Sequence, residues 1–163
     1  MRVVMVFVVG LLVGAAMQVP FAQIQNQNQV VSMNHVGIRV PNIEEAITYY
    51  TQKMGYKVAF RGLNPQGGTQ LVYLYVSQNT FLELGQAGDG QPAGFTHYGL
   101  HVQNAQKAVD MFRQRGIKAE DVRKSGPTGA MLSNLTDPYM GRIELVEYTP
   151  ESLHGKAVAS WKP

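Results

Sequence analysis

An α+β fold of two tandem βαβββ modules, with eight strands in all, is what the sequence predicts. Three observations carry the prediction. Residues 34–52 return as residues 96–114, with His35/His97, Gly37/Gly99, Val40/Val102, Asn42/Asn104, Ala46/Ala108 and Gln52/Gln114 matched without a gap. Within each copy the apolar pattern runs with period two and then switches to a period near 3.6, the mark of a strand followed by a helix. After each helix come three short apolar runs separated by Gly- and Pro-rich turns. An echo of fixed period means one supersecondary unit used twice, and it places shared chemistry where the copies meet.

At the N-terminus, Arg2 precedes an apolar run from Val3 to Met17, followed by Pro20, Phe21 and Ala22 and the polar tract Gln23–Gln29. A positive n-region, an apolar h-region and a small-residue exit predict a secretory signal over residues 1–22. The run is short for a membrane span of roughly 20 residues, and an uncleaved N-terminal anchor is the alternative. The expected location is exported, periplasmic or secreted, with membrane contact only through this segment. Residues 23–32 read as a polar linker.

The first module covers residues 33–85. Its opening strand leads to Asn42, which with Glu45 forms a capping-box pattern, and to a helix whose stripe is Ile43, Ala46, Ile47 and Tyr50. Gly55 suits the position after the helix. Strands follow at 56–60, 69–76 and 80–85, the first two separated by the turn residues 62–68. Residues 86–94 link the modules. The second module, 95–149, repeats the order with a strand at 96–102, a helix at 104–115 ended by Gly116, and strands at 117–123, 130–135 and 142–148. Residues 150–163 read as a C-terminal tail, with His154 exposed.

Composition narrows the function. The 163 residues are 45% hydrophobic, enough for one compact core, and contain no cysteine, so an exported fold must stand on that core alone. The net charge of +3 is spread without a basic block, which argues against a nucleic-acid partner. Nucleophile-elbow, Walker A, dinucleotide-binding and paired-cysteine patterns are absent from the sequence.

Period two assigns the strand faces. Val36, Ile38 and Val40 oppose His35, Gly37 and Arg39, and Tyr98, Leu100 and Val102 oppose His97, Gly99 and His101. The helical stripes cover the apolar sides, so both histidines lie on the open face. A second helix one residue shorter shifts the offset to 61, which aligns Phe81-Leu82-Glu83-Leu84 with Arg142-Ile143-Glu144-Leu145. Two histidines and two carboxylates thus occupy equivalent places and converge if the modules pack about a pseudo-twofold axis. Any one alone reads as a polar group capping a sheet face; the four together read as mixed N/O ligands for a divalent metal, with Ni, Zn, Co, Mn or Fe left open. Arg39 and its repeat-mate His101, with Tyr73 and Tyr75, which alternate with Val72, Leu74 and Val76 and so share one strand face, are candidate contacts for a small-molecule substrate.

A βαβββ repeat with His near the start of each module and Glu on its last strand resembles the vicinal oxygen chelate superfamily. That group includes glyoxalase I, methylmalonyl-CoA epimerase, extradiol dioxygenases and bleomycin-resistance proteins, and the resemblance spans residues 33–149. It implies that the modules join into one cupped, mostly antiparallel eight-stranded sheet of glyoxalase-like fold around a divalent metal held by His35, Glu83, His97 and Glu144, a set closest to that of glyoxalase I. It further implies a lyase or isomerase that abstracts a proton from a small vicinal-oxygen substrate, with Glu144 or Glu83 as the base. A metal-free binding module and an iron-dependent dioxygenase are the alternatives. Whether the modules pair within one chain or across a homodimer stays open.

Overall fold

The computed structural model describes residues 28–162; the expected signal over 1–22 and residues 23–27 of the expected linker lie outside them. Strands β1 (Val30–Val40), β2 (Lys57–Leu63), β3 (Thr69–Ser77), β4 (Thr80–Gln86), β5 (Gly94–Val102), β6 (Arg123–Lys124), β7 (Met131–Asp137) and β8 (Gly141–Glu147) form one sheet in the order β2-β3-β4-β1-β5-β8-β7-β6. Helices α1 (Ile43–Lys53), α2 (Ala105–Gln114) and α3 (Leu153–Ser160) accompany it. β1 lies parallel to β4 and β5 parallel to β8, while the remaining pairings are antiparallel. Each half of the sheet is one module. The halves join through the antiparallel pair β1–β5, so the modules pair within one chain.

The two matched helices form and dock as their sequences require. Asn42 Oδ1 accepts from the Glu44 and Glu45 amides and its Nδ2 donates to Glu45 Oε1 at 2.8 Å, satisfying otherwise orphaned donors of the first turn. Asn104 does the same for Lys107, and the Glu147 carboxylate takes the Ala105 amide. Ile43 and Ile47 then pack on Val72, Leu74 and Leu84. Ala105, Ala108 and Val109 pack on Val102, Leu135 and Leu145. Both helices therefore cover the same face, and the polar face of β1 and β5 is left for the site.

Four expectations need correction. Residues 30–32 belong to β1 rather than to a linker, because Val30 and Ser32 pair with β5. The expected strand at 117–123 shrinks to Arg123 and Lys124 plus a single bridge from Ala119 to Leu135. Polar Lys118, Glu120 and Asp121 give no buried face there, and Arg113 ties the segment down through the Ala119 carbonyl and the Asp121 carboxylate. The expected tail contains α3, which lies against the cupped side of β2 and β3 with Ala157 packed on Tyr73 and Phe81. His154 on α3 is buried, not exposed.

Candidate metal centre

The centre is built by an exchange of histidines across β1 and β5. The register sets His35 opposite Gly99 and Gly37 opposite His97, so each imidazole lies over the glycine of the other module. A Cβ placed on Gly99 would stand 2.3 Å from His35 Cε1, and one on Gly37 would stand 2.4 Å from His97 Cε1. Only a residue without a side chain admits the ring. The glycine repeated two residues after each histidine is thus part of the site, and the Nε2 atoms meet at 2.8 Å.

Each histidine is aimed by the residue before it. The β1–β5 register skips between Met33 and His35 and again opposite Gly37 and Ile38, leaving Asn34 and Thr96 as the extra residues of two bulges. Bulges bend a strand and redirect its side chains. Asn34 Oδ1 lies 2.5 Å from His35 Nδ1, and Thr96 Oγ1 lies 2.8 Å from His97 Nδ1. The carboxylates arrive from the parallel neighbours, Glu83 beside Gly37 and Glu144 beside Gly99. One ligand atom from each of the four residues lies within 4.8 Å of all the others.

Burial decides the protonation states. Desolvation, with the charges of His97, His154 and Arg142 adding to it, holds the His35 pKa well below the usual imidazole range. Burial and then Arg142 and Arg39 lower His97 to about 3. Both rings are neutral, so their contacts with Glu83 (3.5 Å from His35) and Glu144 (3.8 Å from His35) are not ion pairs. Burial and the neighbouring Glu83 push Glu144 up to about 7. Glu83 is also raised by burial, although the Tyr73 hydroxyl that donates to it opposes the shift.

These residues fit a divalent cation. Neutral imidazoles and carboxylates are its usual donors, and ligands held about 2.0–2.2 Å from an ion stand about 3–4 Å apart, close to the separations found. A buried and a half-buried carboxylate set side by side without a cation between them are unfavourable, and an ion would relieve this. One proton has to move. Arg142 Nη2 lies 2.6 Å from His97 Nδ1 and can only donate, so in this state the His97 proton is on Nε2. Ligation through His97 Nε2 requires that proton on Nδ1, bonded to Thr96, with Arg142 released.

Ion uptake is therefore linked to pH. Below about 7 the ion-free protein holds a proton on Glu144 while both histidines are neutral, so binding must expel it; well above 7 the carboxylate is already ionised. Calorimetric titration with Zn²⁺ in buffers of different ionisation enthalpy should show about one more proton released per ion at about pH 6 than at about pH 8.5, with affinity falling as pH drops. Equal release at both values would contradict this assignment.

The other expected site residues separate. Tyr73 is buried beside the cluster, its hydroxyl on Glu83. Arg39 lines a cavity of about 200 Å³ next to His97 and Glu83. Tyr75 departs from expectation: two residues further along β3 than Tyr73, it lies under α3 and donates to the Ala157 carbonyl at 2.7 Å, so it anchors the helix. His101 stacks on Tyr148 with ring centroids 3.9 Å apart and lines neither cavity that adjoins the cluster. Asn34, Thr96, Arg142 and His154 are the residues that sequence reasoning passes over. The first two occupy equivalent places in the repeat, and Arg142 alternates with Glu144 on β8, so a signal for those three was present.

Residues 32–145 match the sequence model of the Glyoxalase/Bleomycin resistance protein/Dioxygenase superfamily. The chain is 26% identical over 129 residues to a lactoylglutathione lyase of Salmonella typhimurium, covering 69% of this chain and 90% of that one. It is 24% identical over 131 residues to the mitochondrial methylmalonyl-CoA epimerase of Mus musculus, covering 72% and 74%. The crystal structure of methylmalonyl-CoA epimerase from Mycobacterium tuberculosis superposes with a TM-score of 0.63 at 21% identity, over 76% of this chain and 92% of that one. With the family model matching well over half of the chain and the fold agreeing, this chain belongs to the Glyoxalase/Bleomycin resistance protein/Dioxygenase superfamily.

Proposed function

We propose that the protein is an exported, metal-dependent lyase or isomerase that moves a carbon-bound proton on a small substrate carrying two vicinal oxygens. The observation that carries the reading is the unequal setting of the two glutamates at one centre. Glu83 accepts the Tyr73 hydroxyl and is oriented by it. Glu144 receives no such hydroxyl from the described residues: Arg142 lies 3.7 Å and His35 3.8 Å away, and in the ion-free protein burial and the neighbouring Glu83 push it up to about 7. One carboxylate is placed to hold, the other to exchange a proton.

A divalent ion held by His35, Glu83, His97 and Glu144 would supply Lewis acidity, polarising a substrate carbonyl so that the adjacent C–H becomes acidic. Glu144 takes that proton and returns it to the neighbouring carbon, acting as base and then acid. Tyr73 keeps Glu83 from competing. Burial of both histidines and of Glu144 excludes bulk water from the reacting side. Arg39 and Arg142 line the adjoining cavity and offer cations to an anionic substrate group. Similarity to a lyase and to an epimerase supports the reaction type, and the layout of residues 1–22 supports export.

The test starts with elemental analysis of protein purified without chelator. About one divalent ion per chain is expected, falling below about a tenth in His35→Ala and His97→Ala, with solvent deuterium entering a 2-oxo or α-hydroxy thioester only when the ion is present. Tight ligand binding by metal-free protein would point to a binding module instead. Iron with oxygen uptake on a catechol would point to a dioxygenase.

A further inference from the structure

On the α3 side of the cluster a second cavity of about 200 Å³ is lined by Glu83, Glu144 and Tyr73 together with Ser125, Thr128 and His154, with Arg123 and Arg142 also in its walls. His154 is the unusual member. It is 1% exposed, and neither ring nitrogen has a hydrogen-bond partner among the described residues. Phe60, Tyr73, Phe81 and Tyr148 surround the ring, with centroids 4.7–5.9 Å away. Phenylalanine or leucine would fill such an aromatic box at lower cost, because a buried polar group without a partner is destabilising.

Its position is also firmly fixed. Ser152 caps α3 through the Gly155 amide, and the Leu153 amide donates to the Thr128 carbonyl at 2.9 Å. Gly155 lets the turn close, since a Cβ there would stand 2.2 Å from the Thr149 carbonyl oxygen. A whole turn is thus shaped to bring one unsatisfied imidazole into the wall of the substrate cavity.

We propose that this cavity takes the far end of the substrate, a second carboxylate, with the His154 ring turning about its Cβ–Cγ bond to donate an N–H to it and Arg123 supplying the opposing charge. The proposal rests on the reading above, because the near end of the substrate must sit at the ion. The substrate class becomes a small 2-oxygenated acid or thioester bearing a distal carboxylate. His154 is held neutral, its pKa lowered by burial to about 3, so it donates one N–H as an uncharged ring. Arg123 is exposed on β6, where it can meet an entering anion. Glu83 and Glu144 would repel that anion in the ion-free protein, so binding should require the metal-loaded state.

Malate and lactate share the 2-hydroxy acid end and differ by the distal carboxylate, which makes them direct probes. For the Zn²⁺-loaded protein, malate should bind about tenfold more tightly than lactate in calorimetry, and the ring ¹⁵N signals of His154 should shift with malate but not with lactate. His154→Phe preserves ring packing and should bring malate down to the affinity of lactate while leaving zinc content unchanged. Arg123→Gln, on the surface, should weaken malate severalfold without touching the core. If His154→Phe binds malate as wild type does, or if malate shows no advantage over lactate, the subsite is overturned. If neither acid binds to the loaded protein, the vicinal-oxygen reading itself falls, and that outcome is separable from failure of the subsite alone.

Discussion

In Gly99→Ala, and equally in Gly37→Ala, the bound ion should be lost from a protein that still folds. Neither glycine has the positive φ that would strain an alanine, so the backbone tolerates the change. The conflict is with the imidazole that crosses it: the new Cβ would lie 2.3 Å from His35 in one variant and 2.4 Å from His97 in the other. Neither ring has room to retreat, since both are buried and each is held at Nδ1 by its bulge residue. Displacing a ligand by about an ångström should cost more than the 10–100-fold that loss of a supporting residue typically costs, so a fall in metal affinity of at least about 100-fold is expected. Gly85→Ala is the matched control, because its Cβ would make ordinary contacts at 3.8 and 3.9 Å with Arg39 and Ile38. Metal titration alongside thermal melts of all three variants checks this. Wild-type affinity in Gly99→Ala would show that the ring does not lie where the site requires it.

The repeat explains why so much of this centre is legible in the sequence. His35 and His97, and then Glu83 and Glu144, are each visible twice, and the alternation of apolar neighbours fixes the face on which they lie. Gly37 and Gly99 are visible as a matched pair too, but their role is not. A one-dimensional pattern places each glycine on the histidine face; only the antiparallel register of β1 and β5 shows that it receives the other module's ring. The bulges at Asn34 and Thr96 are hidden for the same reason, since a bulge is a property of two strands.

α3 is hidden for another reason. Gly155 sits inside it, His154 and Lys156 interrupt its apolar residues, and nothing in the first module corresponds to it. Its stability comes from docking on Tyr73, Phe81 and the Tyr75 hydroxyl rather than from intrinsic propensity. The two modules therefore build a symmetric cluster, and the segment outside the repeat makes its surroundings asymmetric. Tyr73 and His154 stand together near Glu83, while the position opposite Glu144 on the neighbouring strand is taken by Asn134.

That asymmetry sets the expected outcome for the two glutamates. Glu144→Gln keeps an amide oxygen as a donor for the ion but removes the proton acceptor, so the metal should be largely retained while solvent-deuterium exchange falls about 10²–10⁴-fold, the usual contribution of a positioned base. Glu83→Gln should cost far less exchange. Its amide oxygen can still accept the Tyr73 hydroxyl, and its loss of charge weakens the repulsion that raises Glu144. The sign of that second effect is testable. With the Glu83 charge gone the Glu144 carboxylate of the ion-free protein titrates lower, so the pH above which Zn²⁺ uptake no longer releases the Glu144 proton should be lower in Glu83→Gln than in the wild type. Exchange is measured on the same 2-oxo or α-hydroxy thioester for each variant, at equal metal content. If Glu144→Gln retains both its ion and full exchange, Glu144 is not the base; if the pH at which Zn²⁺ uptake stops releasing that proton moves upward in Glu83→Gln, the two carboxylates are not coupled as the geometry requires.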